Sequence, residues 1–414
     1  MFNAQIHRNG NARRVAMGRR AVTLSKPLSQ FAAITLTGAV ILTASFSDGR
    51  AQESVKESIR EPLVIAKQGW FFAGDAIDAG RPVGHMYVEF QIPYKVTHPY
   101  PVVMIHGGNQ TGTNFTGTPD GRDGWAQYFL RRGYAVYVVD QVARGRAAQW
   151  SQANGRVTEA NLAELEWRFV APERFNLWPQ AHLHTQWPGS DKPGDPIFDQ
   201  FYDSQFPSLI DFPVQQALNR DAAVALLDGI GPAVLLVHSQ SGAFAWPIAD
   251  RRPSLVKAII AVEPSGPPAH DVDFKGAPEW FADNPYLKPY GLVAVPLTYD
   301  PPVNDTSPIA FVREDRSERP DSVKCWAQAE PARKLVNLQS MPILIVTAEA
   351  SYHAAYDHCT VRYLAQAGVK STFVRLENAG IHGNGHMMML ERNSDAIAKI
   401  MVDWLDRTLP GGGP

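Results

Sequence analysis

Charge is scarce in this chain and cysteine nearly absent. Of 414 residues, 39 are Lys or Arg, 41 are Asp or Glu, and only two are Cys. A formal net charge of −2 excludes the strong basic field that nucleic acid or an anionic membrane would require. With 10 Trp and 13 Tyr the composition is far too aromatic, and too poor in charge, for a disordered chain. No internal repeat or low-complexity tract is present, which leaves a globular body with long, Pro-rich loops. An apolar run long enough to span a membrane comfortably is also missing. Phe31 to Phe46 contains several Thr, Ser and Gly and is short for a hydrocarbon core of about 30 Å.

That run reads instead as an export signal. Arg13, Arg14, Arg19, Arg20 and Lys26 precede it, and the small-residue segment ending Gly49-Arg50-Ala51 follows as a cleavage site. The reading assigns residues 1–51 to a signal peptide and starts the mature chain near Gln52; an uncleaved anchor is the alternative. Export gives meaning to the two cysteines. Neither Cys325 nor Cys359 belongs to a C-x-x-C or Cys/His metal pattern, and an even pair in an exported protein predicts a disulfide. Closing a loop of about 35 residues contributes on the order of 3–4 kcal/mol in the chain-entropy model. Two buried thiols are the other possibility.

What the chain does have is an alternation of short β-rich runs with helical patterns, the mark of parallel strands joined by crossover helices. Strands are predicted at Met86–Ile92, Pro101–Ile105, Tyr134–Asp140, Ala233–Val237, Ala258–Val262, Ile343–Thr347 and Thr372–Leu376. Pro101–Ile105 is apolar throughout, as in a sheet covered on both faces. Trp125–Arg132 reads as a helix stopped by Gly133. Ile397, Ile400, Met401, Trp404 and Leu405 recur at helical spacing and form a closing amphipathic helix. Two stretches interrupt the alternation, about 145–230 with four Trp and about 265–340, rich in Pro. Loops of such length in an α/β unit are usually functional, and both read as cap insertions in one domain spanning 52–414.

The chemistry concentrates in Val237-His238-Ser239-Gln240-Ser241-Gly242, where an apolar strand runs directly into small residues and a helix. This is what the nucleophile turn of an α/β-hydrolase fold requires. A serine on a sharp strand-to-helix turn has its hydroxyl exposed, and the helix N-terminus favours negative charge developing there. Two serines compete. Sterics favour Ser241, which has small residues at both offsets of two, whereas Ser239 has Val237 before it. Register favours Ser239, because the apolar strand ends at Val237.

A serine hydroxyl needs a histidine to take its proton and an acid to orient that histidine. In this fold the histidine follows the last strand, where Gly380-Ile381-His382-Gly383-Asn384-Gly385-His386 stands. His386, next to the closing helix, is preferred to His382. A metal reading of the two rings is weak, because the glycines between them oppose the helix that would align them. The acid usually follows the penultimate strand, yet Ser351 occupies about that place, with Glu349 nearby. Glu263, at the end of the preceding strand, is the other candidate. His106-Gly107-Gly108-Asn109 after Pro101–Ile105 offers an oxyanion loop, with the Gly108 and Gln240 N–H groups as donors and His106 packed beneath as a structural residue.

Taken together, the residues resemble a family of bacterial α/β-hydrolase esterases of the Alcaligenes type, whose triad acid is a glutamate. The resemblance is carried by His-Ser-Gln-Ser-Gly at 238–242, Val-Glu-Pro at 262–264 and Gly-Ile-His-Gly-Asn-Gly-His-Met-Met-Met at 380–389; Thr118 to Arg122 adds to it. It extends from about 85 to 407 and implies Ser239 as nucleophile, Glu263 as acid and His386 as base. The related esterase has adjacent cysteines at the oxyanion loop; Gly108-Asn109 stand there in this chain, so no role of those cysteines carries over.

The expectation is therefore an α/β-hydrolase fold, a mostly parallel central sheet flanked by helices, that hydrolyses carboxylic esters through an acyl-enzyme without cofactor or metal. A lactonase or amidase using the same triad, or a non-catalytic exported binding protein, are the alternatives. The expected partner is a small-molecule ester. Nucleic acid and stable membrane insertion of the mature chain are not expected, and a homodimer is left open.

Overall fold

The computed structural model describes residues 62–409, apart from 75, 79, 149–153 and 159–160. The expected signal segment and the glycine tail lie outside the described residues. Eight strands form the central sheet: β1 (Ile65–Ala73), β2 (Met86–Pro93), β3 (Val102–Ile105), β4 (Val136–Asp140), β5 (Ala233–His238), β6 (Val256–Val262), β7 (Ile343–Thr347) and β8 (Thr372–Arg375). Their order is β1-β2-β4-β3-β5-β6-β7-β8. β2 pairs antiparallel with β1 and β4, and every pairing from β4 through β8 is parallel. The expected α/β-hydrolase architecture is the one observed.

The inner strands are apolar because both faces are covered, and alternate residues serve opposite cores. On one side Val102, Met104, Leu236, Ile260 and Val346 pack with α1 (Trp125–Arg131) and the closing helix, α5 (Ser394–Thr408). The other side takes Val103, Ile105, Leu235, Ile259 and Ile345, against α2 (Phe212–Ile230), α3 (Gly242–Arg251) and α4 (Asp357–Gln366). α5 (Ser394–Thr408) buries Ile397, Met401, Trp404 and Leu405, the stripe read from its spacing. α2 begins where Asp211 accepts from the Val214 N–H and ends at Gly231, whose φ of 86° closes the turn. β1 was not foreseen. It is an edge strand with one neighbour and mostly exposed residues, so it carries little apolar periodicity.

The described parts of both interrupting stretches are held by burial. In the first, Trp178, Trp187, Phe198 and Phe201 enter the same core as α1 and α5, and its last 19 residues are α2. The second contains short antiparallel pairs, among them His270–Phe274 with Phe281–Leu287 and Phe311–Arg313 with Trp326–Gln328. Cys325 and Cys359 form a disulfide that ties this stretch to α4. No helix among the described residues is long and apolar enough to cross a membrane.

Candidate active site

The expected residues all come from the carboxyl ends of parallel strands or the loop after β8, the edge where α/β sheets gather ligands. β5 delivers Ser239 in a left-handed conformation, φ 56°, at the start of the short 3-10 turn that leads into α3. A side chain rarely adopts that φ without a surrounding structure that imposes it. Here the loop after β3 crosses close enough that a Cβ on Gly107 would come within 3.0 Å of the Ser239 Cβ. Beyond the turn, a Cβ on Gly242 would come within 2.5 Å of the Pro264 Cα, so only glycine lets α3 start beside the end of β6.

The two serines occupy different surroundings. Ser239 lines a cavity of about 540 Å³, together with Gly108, Gln240, Tyr352, His353 and Arg168 among others. Ser241 is fully buried; its hydroxyl donates to the Ile105 carbonyl at 2.6 Å and accepts from the His238 N–H at 2.9 Å.

Glu263 directly follows β6 and is completely buried and also left-handed, φ 45°. One carboxylate oxygen accepts from the Ala348 N–H at 2.8 Å; the other accepts from the Ser351 hydroxyl at 2.7 Å and pairs with His386 Nδ1 at 2.5 Å. Burial pushes the Glu263 carboxyl well above its ordinary range, with Asp357 adding to the effect; the Ala348 and Ser351 donors oppose it. Burial likewise pulls the His386 imidazole well down, helped by His238 and His353. The resting ring is therefore neutral; an ionised Glu263 takes Nδ1–H as donor and leaves Nε2 as the acceptor. Nε2 faces the Tyr352 hydroxyl at 3.1 Å.

The rejected pair finds itself elsewhere. His382 Nδ1 lies 3.1 Å from Glu349, with the His382 side chain 63 % exposed, and neither residue lines the cavity. A third histidine, His353, does line it. Its Nδ1 is 2.8 Å from Asp357, which also accepts from Thr347 at 2.6 Å, and its ring stacks on His386 at 4.8 Å. Glu263, His353 and His386 are clustered closely enough to be considered as a metal set, but the Glu263 and His386 atoms that would ligate are bonded to each other.

Supporting residues were harder to foresee. Ser351, read as standing where an acid was expected, holds Glu263 instead. Arg144, wholly buried, donates to the Gly107 carbonyl at 2.8 Å and to Gln240 Oε1 at 3.3 Å. His106 Nδ1 donates to the same carbonyl at 2.9 Å and its Nε2 accepts from the Gln141 N–H, which fits its expected structural part. The planar peptide that carries the Gly107 carbonyl also carries the Gly108 N–H, pointing the opposite way. Fixing one therefore aims the other. The His386 loop is pinned by Glu391, which accepts from Asn384 Nδ2 and the Gly385 N–H and pairs with His184 at 2.8 Å. Burial disfavours the charge on His184, but Glu173 and Glu391 together outweigh it and raise its pKa to about 9. Both Arg144 and His184 lie on segments without a motif, and nothing local in the sequence marks them.

Residues 102–400 match the model of the alpha/beta hydrolase family. The chain is 44 % identical over 374 residues to a protein named "Probable secreted lipase phiG" from Fungal sp. (strain ATCC 74256), covering 89 % of this chain and 97 % of that one. Among solved structures, one described as a novel bacterial esterase aligns with a TM-score of 0.54 at 24 % identity, over 84 % of this chain and 98 % of the other.

Proposed function

The chain belongs to the α/β-hydrolase family, and within it we propose that the protein is an exported serine esterase that hydrolyses carboxylic esters through an acyl-enzyme. The observation that carries this reading is the buried Glu263–His386 pair at 2.5 Å beside the cavity that Ser239 lines. Glu263 orients His386 and stabilises the imidazolium that forms when the ring takes the serine proton. Ser239 then attacks the ester carbonyl, and the Gly108 and Gln240 N–H groups meet the oxyanion. The ring returns the proton to the leaving alcohol, and water repeats the sequence to release the acid. Ser239 is favoured over Ser241 because its backbone is strained at the turn and its side chain faces the cavity, while the Ser241 hydroxyl is committed to backbone groups. Both long insertions contribute to the cavity wall, through Arg168 and Phe274 for example, and act as caps that set substrate preference. Export agrees with the disulfide and with the secreted relative's name.

A short-chain aryl ester and a fluorophosphonate probe test the reading. Ser239→Ala abolishes turnover and labelling, whereas Ser241→Ala leaves Ser239 open to the probe. Full activity of Ser239→Ala would falsify the assignment.

A further inference from the structure

Among the described residues that line the cavity, His353 is the only histidine, and the proposed reaction does not use it. The residue is 2 % exposed and its ring is held by one edge. Nδ1 lies 2.8 Å from Asp357, a fully buried carboxylate whose other oxygen accepts from the Thr347 hydroxyl at 2.6 Å. A carboxylate can only accept, so Nδ1 carries the proton and Nε2 keeps its lone pair. That lone pair has no hydrogen-bond partner among the described residues, although buried polar groups almost always have one.

Packing alone does not call for a histidine here. His353 stacks on His386 at 4.8 Å and 11°, and Phe169 stacks on the same ring at 5.5 Å and 16°, so a plain aromatic ring meets that need. Burying an imidazole with a carboxylate carries a desolvation cost that an apolar ring would avoid. The charged side chains of the cavity wall already have partners: Arg168 donates to Glu164 at 2.8 Å, Lys288 pairs with Asp271, and Asn284 donates to Asp273 at 2.9 Å. What His353 adds is a neutral acceptor, one stacked ring away from the imidazole that the proposed reaction uses. We infer that His353 determines specificity, its Nε2 accepting a hydrogen bond from a hydroxyl on the ester, close to the scissile carbonyl on the acyl or the alcohol side. The inference rests on the esterase reading above. A saturated acyl chain on a plain alcohol offers no such donor and leaves the buried nitrogen unpaired, which disfavours it.

The test compares matched esters with the full chain. The p-nitrophenyl ester of β-hydroxybutyric acid is set against that of butyric acid for the acyl side, and ethylene glycol monobutyrate against propyl butyrate for the alcohol side. The wild type should favour the hydroxylated member of one pair by about tenfold in kcat/KM, and the pair that responds identifies the side. His353→Phe, or His353→Leu should the first not fold, brings that ratio to about one. His353→Gln, whose side-chain oxygen can accept, keeps part of it. A merely structural histidine would slow both members alike and leave their ratio unchanged. Equal kcat/KM within both pairs for the wild type overturns the inference whether or not any variant folds. A ratio that survives in His353→Phe or His353→Leu overturns it too. In either case fluorophosphonate labelling of Ser239 leaves the esterase reading intact, whereas a wild type that neither labels at Ser239 nor hydrolyses any of the four esters overturns both.

Discussion

The Ser351 hydroxyl donates to the Glu263 carboxylate at 2.7 Å, on the oxygen that also faces His386 Nδ1. The residue that stands where the fold commonly places its acid thus supports Glu263, the proposed acid on the neighbouring strand. A hydrogen bond to a buried carboxylate contributes about 2 kcal/mol. Ser351→Ala should therefore lower the melting temperature and reduce kcat about tenfold, with KM nearly constant. Steady-state kinetics beside thermal unfolding check this; unchanged kcat would show that Ala348 alone suffices to hold Glu263.

Arg144 reaches both loops that flank Ser239, through the Gly107 carbonyl and the Gln240 side chain. Lysine keeps the charge but cannot make both bonds in one plane. Arg144→Lys is expected to cost about tenfold or more in kcat, because loosening the proposed oxyanion donor forfeits part of the 10²–10³ that a donor contributes. Binding of a phosphonate transition-state analogue should weaken in proportion, while substrate KM does not. Equal losses in both would mark a general packing defect instead.

His184 contributes to the pH dependence of stability. Its folded pKa of about 9 lies above the ordinary 6.5, so its charged form is favoured by folding. That stability is fully present below about pH 6.5 and is lost as pH rises through about 9. Glu173→Gln removes one of the two carboxylates facing the ring and should move the loss to lower pH. Melting temperatures from pH 6 to 10 for both proteins test this. Coincident profiles would show that Glu173 does not act on His184.

Gly242 is the tightest point of the turn after Ser239, with a substituent's Cβ only 2.5 Å from the Pro264 Cα. Backbone cannot yield as a side-chain tip can, so Gly242→Ala must displace either α3 or the residue after Glu263. Loss of nearly all activity is expected, with a melting temperature several degrees lower. Wild-type activity in this variant would mean that the turn and the end of β6 are less closely joined than described.

Much of this was legible in the chain itself. Runs such as Val102–Ile105 and Ile343–Thr347 announced buried parallel strands, because short, β-branched segments apolar on both faces fit a sheet covered on both sides. The stop of the apolar run at Val237 placed Ser239 at the turn despite its bulky neighbour. β1 escaped because an exposed edge strand needs no such pattern. Arg144, Tyr352 and His184 escaped because their partners lie far along the sequence: Gln240 is 96 residues from Arg144, His386 is 34 from Tyr352, and Glu391 is 207 from His184.

The sequence by itself determined the order of elements and which residue types end each strand, since periodicity and turn chemistry act over a few residues. It could not decide which carboxylate meets which imidazole. Glu263 and Glu349, like His382 and His386, are equivalent in kind. Only the closed sheet separates them, setting Glu349 beside His382 at the surface and bringing Glu263 across 123 residues to His386 in the interior. The physical reason is burial. Excluded from water, a carboxylate and an imidazole must satisfy each other, whereas the same pair at the surface has solvent as an alternative partner.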